Sequence, residues 1–493
     1  MDGGESAISG RYRRTDESYV DSVFDRLRQG LHCSLGCGGA KCKHEDWDYF
    51  LKHREGLPPP AIEGLNSAWV TDRVIASQRP STSLFLKYVL IQQFKAKGVT
   101  AVFNLQEKGE HSSCGPDGVY ASSGYSYNGE EDLMRHGIHY YEFPWPDMTA
   151  PDHDIVLRSV QVMDYHIRGG GKVLVHCHAG LGRTGLMIAC FLIYSSRMSA
   201  PDAVSLLRTK RPGAVQTSRQ VEFVVEFEHH LRSLVKAFRV DVSDPLVELN
   251  AFMIRQRKCM HGDEGEIYRR VPRVIHELLC RLLALVGSDR SRAREAIESF
   301  APSAAPDRAT LRQLRLLANE SSLPLEKILS VKECAFMAID WFRSIASPVL
   351  PLDCADALAA HMLTFEPERR PLLDVVSEVL NRAERHTIEM MCSVIFILCE
   401  GQADGLRRFA CKCLVEALTH AHNPLKSLQS PQQRDLLNEF IYGWIDVVQG
   451  SYFASSPTLG DHVHLISTAS RRHLEVGIAN PLKPVEPQPL ETP

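Results

Sequence analysis

Residues 172–185 read KVLVHCHAGLGRTG, and this stretch constrains the fold more than any other. Lys172–His176 is a short run of β-branched and leucine residues, the signature of a buried central strand. Cys177 follows at once, then five residues that include Gly180 and Gly182, then Arg183, and Thr184 opens the apolar text TGLMIACFLIYSS. A strand that ends in a tight turn feeding a helix belongs to an α/β sheet. The flanking text agrees. SAWVTDRVIASQRP holds two short strands around a turn, and Val99–Leu105 and Ile138–Phe143 are further strands. Helical spacing covers Thr82–Gly98, capped by Thr82 or Ser83, then His153–Gly170, a helix opened by Pro201, and Thr217–Phe238. A short helix is expected in EDLMRHG, and 107–128 is a long polar loop of the kind that carries function. The expectation is an α/β domain over 62–240, with a central mostly parallel sheet flanked by helices. A largely α-helical C-terminal region follows.

The chemistry of the same stretch is specific. A glycine-containing turn can aim successive backbone N–H groups at one point and form an anion nest. The N-terminus of the following helix adds unpaired donors and positive potential. Arg183 offers a planar fork to two phosphate oxygens. The same field favours a thiolate at Cys177. The site therefore suits an anionic nucleophile and an anionic substrate together, with His178, Ala179, Gly180, Leu181, Gly182 and Arg183 as the substrate-binding cradle. An ordinary glycine turn beside a core cysteine is the plain alternative. Thr184 can assist departure of the sulfur or simply cap the helix, and His176 can orient the loop or be a satisfied core histidine.

Thiolate attack leaves a departing oxygen that needs a proton, so a carboxylic acid on a loop beside the cradle is expected. FPWPDM at Phe143–Met148 supplies Asp147 at a strand end, while Asp152 and Asp154 read as caps of the next helix. RPGAVQTSRQ supplies Gln216 to orient a water and Gln220 as its helper in substrate binding. The two share a helix face only if the helix already covers Gln216.

HCHAGLGRTG, WPD and RPGAVQTSRQ together resemble the cysteine-based protein tyrosine and dual-specificity phosphatase superfamily. CSLGCGGAKCKHE, LNSAWVTDRVIASQRPST, FNLQEKGEHSSCG and FMIRQRKCMHG extend the resemblance, over about 30–285, to the protein tyrosine phosphatase domain-containing protein 1 group. The resemblance implies Cys177 as nucleophile, Arg183 as phosphate binder, Asp147 as acid and Gln216 as the residue that positions water. It implies hydrolysis of phosphotyrosine, and of phosphoserine and phosphothreonine, through a phosphocysteine intermediate in a phosphorylated protein substrate, without a metal or organic cofactor. A phosphoprotein-binding scaffold with little turnover is the alternative. The resemblance also implies a cytoplasmic protein associated with the centrosome or cilium.

The remaining text is less specific. A net charge of −4 gives no bulk drive toward nucleic acid or anionic membrane, although RYRR and Arg269–Arg270 form short basic patches. No apolar run reaches membrane-spanning length, and the N-terminus has no apolar export core. Of the fourteen cysteines, Cys190, Cys280, Cys392 and Cys399 sit in apolar helical text and read as buried reduced thiols. Residues 1–61 read as an N-terminal arm with a cysteine-rich segment. Cys33, Cys37 and Cys42, with His32 or His44, offer zinc ligands at a non-standard spacing, against a docked arm with reduced thiols as the main reading. After 241 the strand signal almost disappears, and 241–476 reads as a helical domain, a candidate surface for protein partners. Residues 477–493 form a Pro-rich tail, in which Pro481, Pro484 and Pro487 lie in a register that an aromatic groove can read.

Overall fold

The computed structural model describes residues 38–53, 58–319, 330–364, 371–420 and 430–449. His32, Cys33, Cys37 and the Pro-rich tail lie outside them. The chain divides into two units, Met1–Ile193 with Met198–Phe227 and Tyr194–Arg197 with Glu228–Pro493.

In the first unit the strand before Cys177 lies in the middle of the sheet. β1 (Ser67–Trp69), β2 (Val74–Ser77), β3 (Val99–Asn104), β4 (His139–Glu142) and β5 (Lys172–His176) are ordered β1-β2-β5-β3-β4. β5 runs parallel to both neighbours, β3 and β4 are parallel, and only β1 is antiparallel. Register explains the two faces. Ile75, Leu174 and Val102 align in one row and belong to a core with Leu90, Phe94 and Leu133. Ala76, Val175 and Phe103 align in the next row, and strand alternation sends them to the opposite face.

The sequence predicts one helix over Thr82–Gly98. The structure breaks it into α2 (Thr82–Lys87) and α3 (Leu90–Lys97), with Val89 at φ 44 between them. The break lets Leu84, Phe85, Leu90 and Phe94 all face the core, which a straight helix does not allow. Ser81, rather than Thr82 or Ser83, occupies the N-cap position of α2. α1 (Trp47–Lys52) precedes the sheet and is capped by Asp46. EDLMRHG, expected as a short helix, forms a π turn (Gly129–Leu133) and a 3-10 turn (Met134–His136). α4 (His153–Arg168) packs on β5 and β3 and is capped by Asp152, whose side chain accepts from Asp154 N. α5 (Gly182–Ser196) is buried on every side from Leu186 to Ile193, as its uninterrupted apolar text requires. α6 (Ala200–Lys210), capped by Ser199, and α7 (Ser218–Leu234) follow.

The second unit contains eleven further helices of the described residues, α8 (Leu249–Cys259) to α18 (Pro431–Val448), and none of its described residues forms a strand. Its core gathers around α13 (Val331–Ser344), which carries the fully buried Trp341. Capping boxes at Ser330/Glu333 and Asn381/Glu384 start two of the core helices. Cys280 and Cys392 are buried there, and Cys190 is buried in the first unit. Cys399 is half-buried. Burial pushes the Cys190 and Cys392 thiols far up and the Cys280 thiol to about 12. No helix of the described residues is long and apolar enough to cross a membrane.

Candidate active site

The turn after β5 is built with its carbonyls facing outward. His178 O accepts from Arg79 N at 3.0 Å, and Ala179 O and Gly180 O accept from the Arg211 guanidinium at 3.0 and 2.5 Å. Leu181 O accepts from Gly185 N and Val215 N. Among the described residues, the amides of Ala179, Gly180 and Leu181 donate to no protein acceptor. A loop whose carbonyls all point out leaves its N–H groups for the interior, which is the geometry of an anion nest. Gly180 makes the turn possible. Its φ is +71°, and a Cβ there would lie 2.2 Å from Ser77 O. Gly180→Ala is therefore expected to cost about 1–3 kcal/mol and to abolish binding of vanadate. Urea titration and calorimetry read the two effects, and unchanged vanadate affinity would contradict the nest.

Cys177 lies at the floor of this loop and is 3% exposed. His176, one residue earlier, is fully buried. Burial pushes its ring down to about 3, so it is neutral. Its Nδ1 lies 3.3 Å from Cys177 O and its Nε2 2.7 Å from the Tyr127 hydroxyl. A neutral ring serves both partners when Nδ1–H donates to the carbonyl and Nε2 accepts from the hydroxyl. His176 thus contacts the backbone of Cys177 and is itself a satisfied buried histidine.

Arg183 is fully buried and already engaged. Its Nη1 donates to Glu110 Oε2 at 2.6 Å, to Leu105 O at 3.1 Å and to Trp145 O at 2.9 Å, and its Nη2 bonds Glu110 Oε1. Its Nε has no hydrogen-bonded acceptor, although Asp147 Oδ1 stands 3.1 Å away as an ionic contact. Asp147 Oδ2 lies 3.3 Å from His111 Nε2, and Met148 N donates to Oδ1 at 3.0 Å. Burial alone would raise this carboxyl. The His111 hydrogen bond, the Arg183 charge and the Met148 amide outweigh it and hold Asp147 well below the usual carboxylate range. Asp147 therefore stands as a carboxylate on the open edge of the guanidinium, where an oxyanion of a ligand also fits.

The structure brings Gln216 and Gln220 to the other rim, by a route the sequence did not indicate. α7 begins at Ser218, so Gln216 lies on the preceding loop and not on a shared helix face. A Cβ on Gly182 would lie 2.7 Å from Gln216 Oε1, which measures how closely that amide overhangs the cradle. Gln216 is exposed and Gln220 is buried. Gln220 Oε1 accepts from Gln216 N at 3.0 Å and from Thr217 N at 3.4 Å, and its Nε2 donates to Thr149 O. Its amide thus braces the loop, and it also borders the cradle, since a Cβ on Gly182 would lie 3.1 Å from Gln220 Nε2. Among the described residues the Thr184 hydroxyl is buried without a partner.

His178 is also redirected. Its backbone shapes the cradle, but its ring turns away, with Nε2 3.3 Å from Glu45 Oε1 and 3.5 Å from Cys42 Sγ, and stacks on His111 at 3.9 Å between centroids. Sequence reading missed Glu110, His111, Glu45, Arg79 and Arg211. Only the length of the 107–128 loop signalled the first two.

The family described as dual specificity phosphatase, catalytic domain, matches residues 87–230. Cyclin-dependent kinase inhibitor 3 of Sus scrofa is 32% identical over 163 residues, 31% of this chain and 76% of that protein. The chain belongs to the cysteine-based protein tyrosine and dual-specificity phosphatase superfamily. Protein tyrosine phosphatase domain-containing protein 1 of Mus musculus is 40% identical over 273 residues, 54% of this chain and 35% of that protein. The match thus spans about a third of the length of this relative of the superfamily. Among solved structures, Tk-PTP in the active form is 30% identical, covering 33% of this chain and 96% of that one, with a TM-score of 0.27. The matched region, 87–230, contains β3, β4, β5 and the cradle.

Proposed function

We propose that the chain hydrolyses phosphotyrosine, and also phosphoserine and phosphothreonine, in proteins through a phosphocysteine intermediate. The observation that carries this reading is the buried Arg183 edge, whose Nε meets only the ionic contact of Asp147, beside a loop whose carbonyls all face outward. A phosphate bound there takes the place that Asp147 holds in the resting site. Displacement by the phosphate dianion takes Asp147 from Arg183, one of the groups that hold it ionised, and sets a negative charge beside it, so the carboxyl can carry a proton. Cys177 Sγ attacks phosphorus, the P–O bond to the substrate breaks, and Asp147 gives its proton to the departing oxygen. A water held by Gln216 then attacks the phosphocysteine and passes a proton to Asp147, and the P–S bond breaks to restore the thiolate. In this reading the Thr184 hydroxyl, buried without a partner among the described residues, donates a hydrogen bond to that charge.

Asp147→Ala tests the acid. For a phosphotyrosine peptide, kcat should fall by about 10²–10⁴-fold. For phenyl phosphates of increasingly acidic phenols the loss should shrink, because a good leaving group needs no proton. An equal loss across the series would remove Asp147 from this role. The same variant, presented with a panel of phosphotyrosine, phosphoserine and phosphothreonine peptides, reports specificity as the set it retains. Retention of none of them would count against a protein substrate.

A further inference from the structure

We propose that Cys42, Cys114 and His178 bind one zinc ion behind the phosphate cradle. The three residues come from distant parts of the chain, an N-terminal turn, the 107–128 loop and the cradle itself. All are buried, and their ligand atoms lie within 4.8 Å of one another. A tetrahedral zinc with Zn–S near 2.3 Å and Zn–N near 2.1 Å separates a sulfur from a nitrogen by about 3.6 Å. Cys42 Sγ lies 3.5 Å from His178 Nε2, and Cys114 Sγ lies 3.7 Å from His111 Nδ1. His111 borders this trio without belonging to it, so a water takes the fourth position. The Nε2 of His111 lies 3.3 Å from Asp147 Oδ2, so the metal position adjoins the candidate acid.

The surroundings differ from those of the other buried thiols. Cys190, Cys280 and Cys392 lie within apolar helices, whereas Cys42 and Cys114 form an apolar cluster of their own with no third member. Around them stand His111, His178, Glu45 and Arg79. Glu45 Oε1 is held by Arg79 Nε at 2.8 Å and lies 3.3 Å from His178 Nε2. Without metal, Nε2–H can donate to Glu45. With zinc, that proton moves to Nδ1, the two thiol protons pass to solvent, and Glu45 keeps its arginine partner. Two thiolates balance the metal charge, and Glu45 balances Arg79, so the buried cluster is neutral. Sulfur and imidazole donors in tetrahedral array select zinc over calcium or magnesium. Bound there, the ion ties the segment 38–53 and the 107–128 loop to the residue that follows Cys177.

The full chain, purified without chelators, should carry about one zinc by elemental analysis. Exchange for cobalt(II) should produce the intense visible bands of a tetrahedral ion together with thiolate charge transfer. Cys114→Ser and Cys42→Ser should each lose the metal, while Cys177→Ser retains it. X-ray absorption on the unaltered protein, showing two sulfurs at zinc, keeps the proposal testable if the variants fold poorly. Metal-free protein, a Cys42–Cys114 disulfide in unreduced peptide maps, or zinc that survives Cys114→Ser but not Cys33→Ser would each overturn it. Metal content is read without turnover, so a zinc-loaded chain with no phosphatase activity sinks the catalytic reading alone, and an active metal-free chain sinks this one alone.

Discussion

Cys177→Ser is expected to abolish turnover, by at least about a thousandfold, while vanadate or a phosphopeptide still binds. A serine hydroxyl is a far weaker acid than a thiol, so it yields no alkoxide near neutral pH. The cradle itself is unaffected, because its shape rests on Arg79, Arg211, Gly185 and Val215 bonding the carbonyls of 178–181 from outside. Single-turnover kinetics with calorimetry separates the two effects. Turnover equal to that of the unaltered protein would remove Cys177 from the chemistry. Binding without turnover in both proteins would instead favour a phosphoprotein-binding scaffold.

Glu110→Ala is expected to destabilise the first unit by about 3–5 kcal/mol, because it strands a buried guanidinium. Arg183 and Glu110 are 0% and 2% exposed, and Glu110 takes both Nη1 and Nη2. Asp147, 26% exposed and set on the Nε side, reaches neither of them. The contrast is Glu226→Ala. Its partner Arg219 is 52% exposed, water screens the pair, and no measurable change is expected. Urea denaturation of both variants checks the pair of predictions, and equal midpoints would show that Glu110 is dispensable to the buried arginine.

Much of the site was legible because its chemistry is local. A strand that must be buried, a turn that needs glycine at Gly180 and an apolar helix follow one another within about 25 residues, and each obeys backbone rules that operate over a few positions. Asp147 was legible as a candidate acid for a related reason, since a strand end beside a Pro-rich loop is a natural mount for such a group. Helix continuity was less so. A uniform amphipathic pattern from Thr82 to Gly98 conceals the break at Val89, because the break answers to what the sheet presents and not to propensity. Likewise, the start of α7 at Ser218 left Gln216 and Gln220 with different tasks despite their helical spacing.

The amino-acid sequence by itself determined the α/β order, the cradle, the candidate nucleophile with its arginine, and a helical second half. Those follow from hydrophobic periodicity and turn chemistry, which are short-range. Tertiary structure alone decided which charge faces Arg183, that His178 turns its ring from the cradle toward Cys42 and Glu45, and that Cys42 meets Cys114. Such pairings join residues tens of positions apart. They are set by the packing of loops around the sheet, where desolvation forces each buried charge to find a partner that no local pattern names.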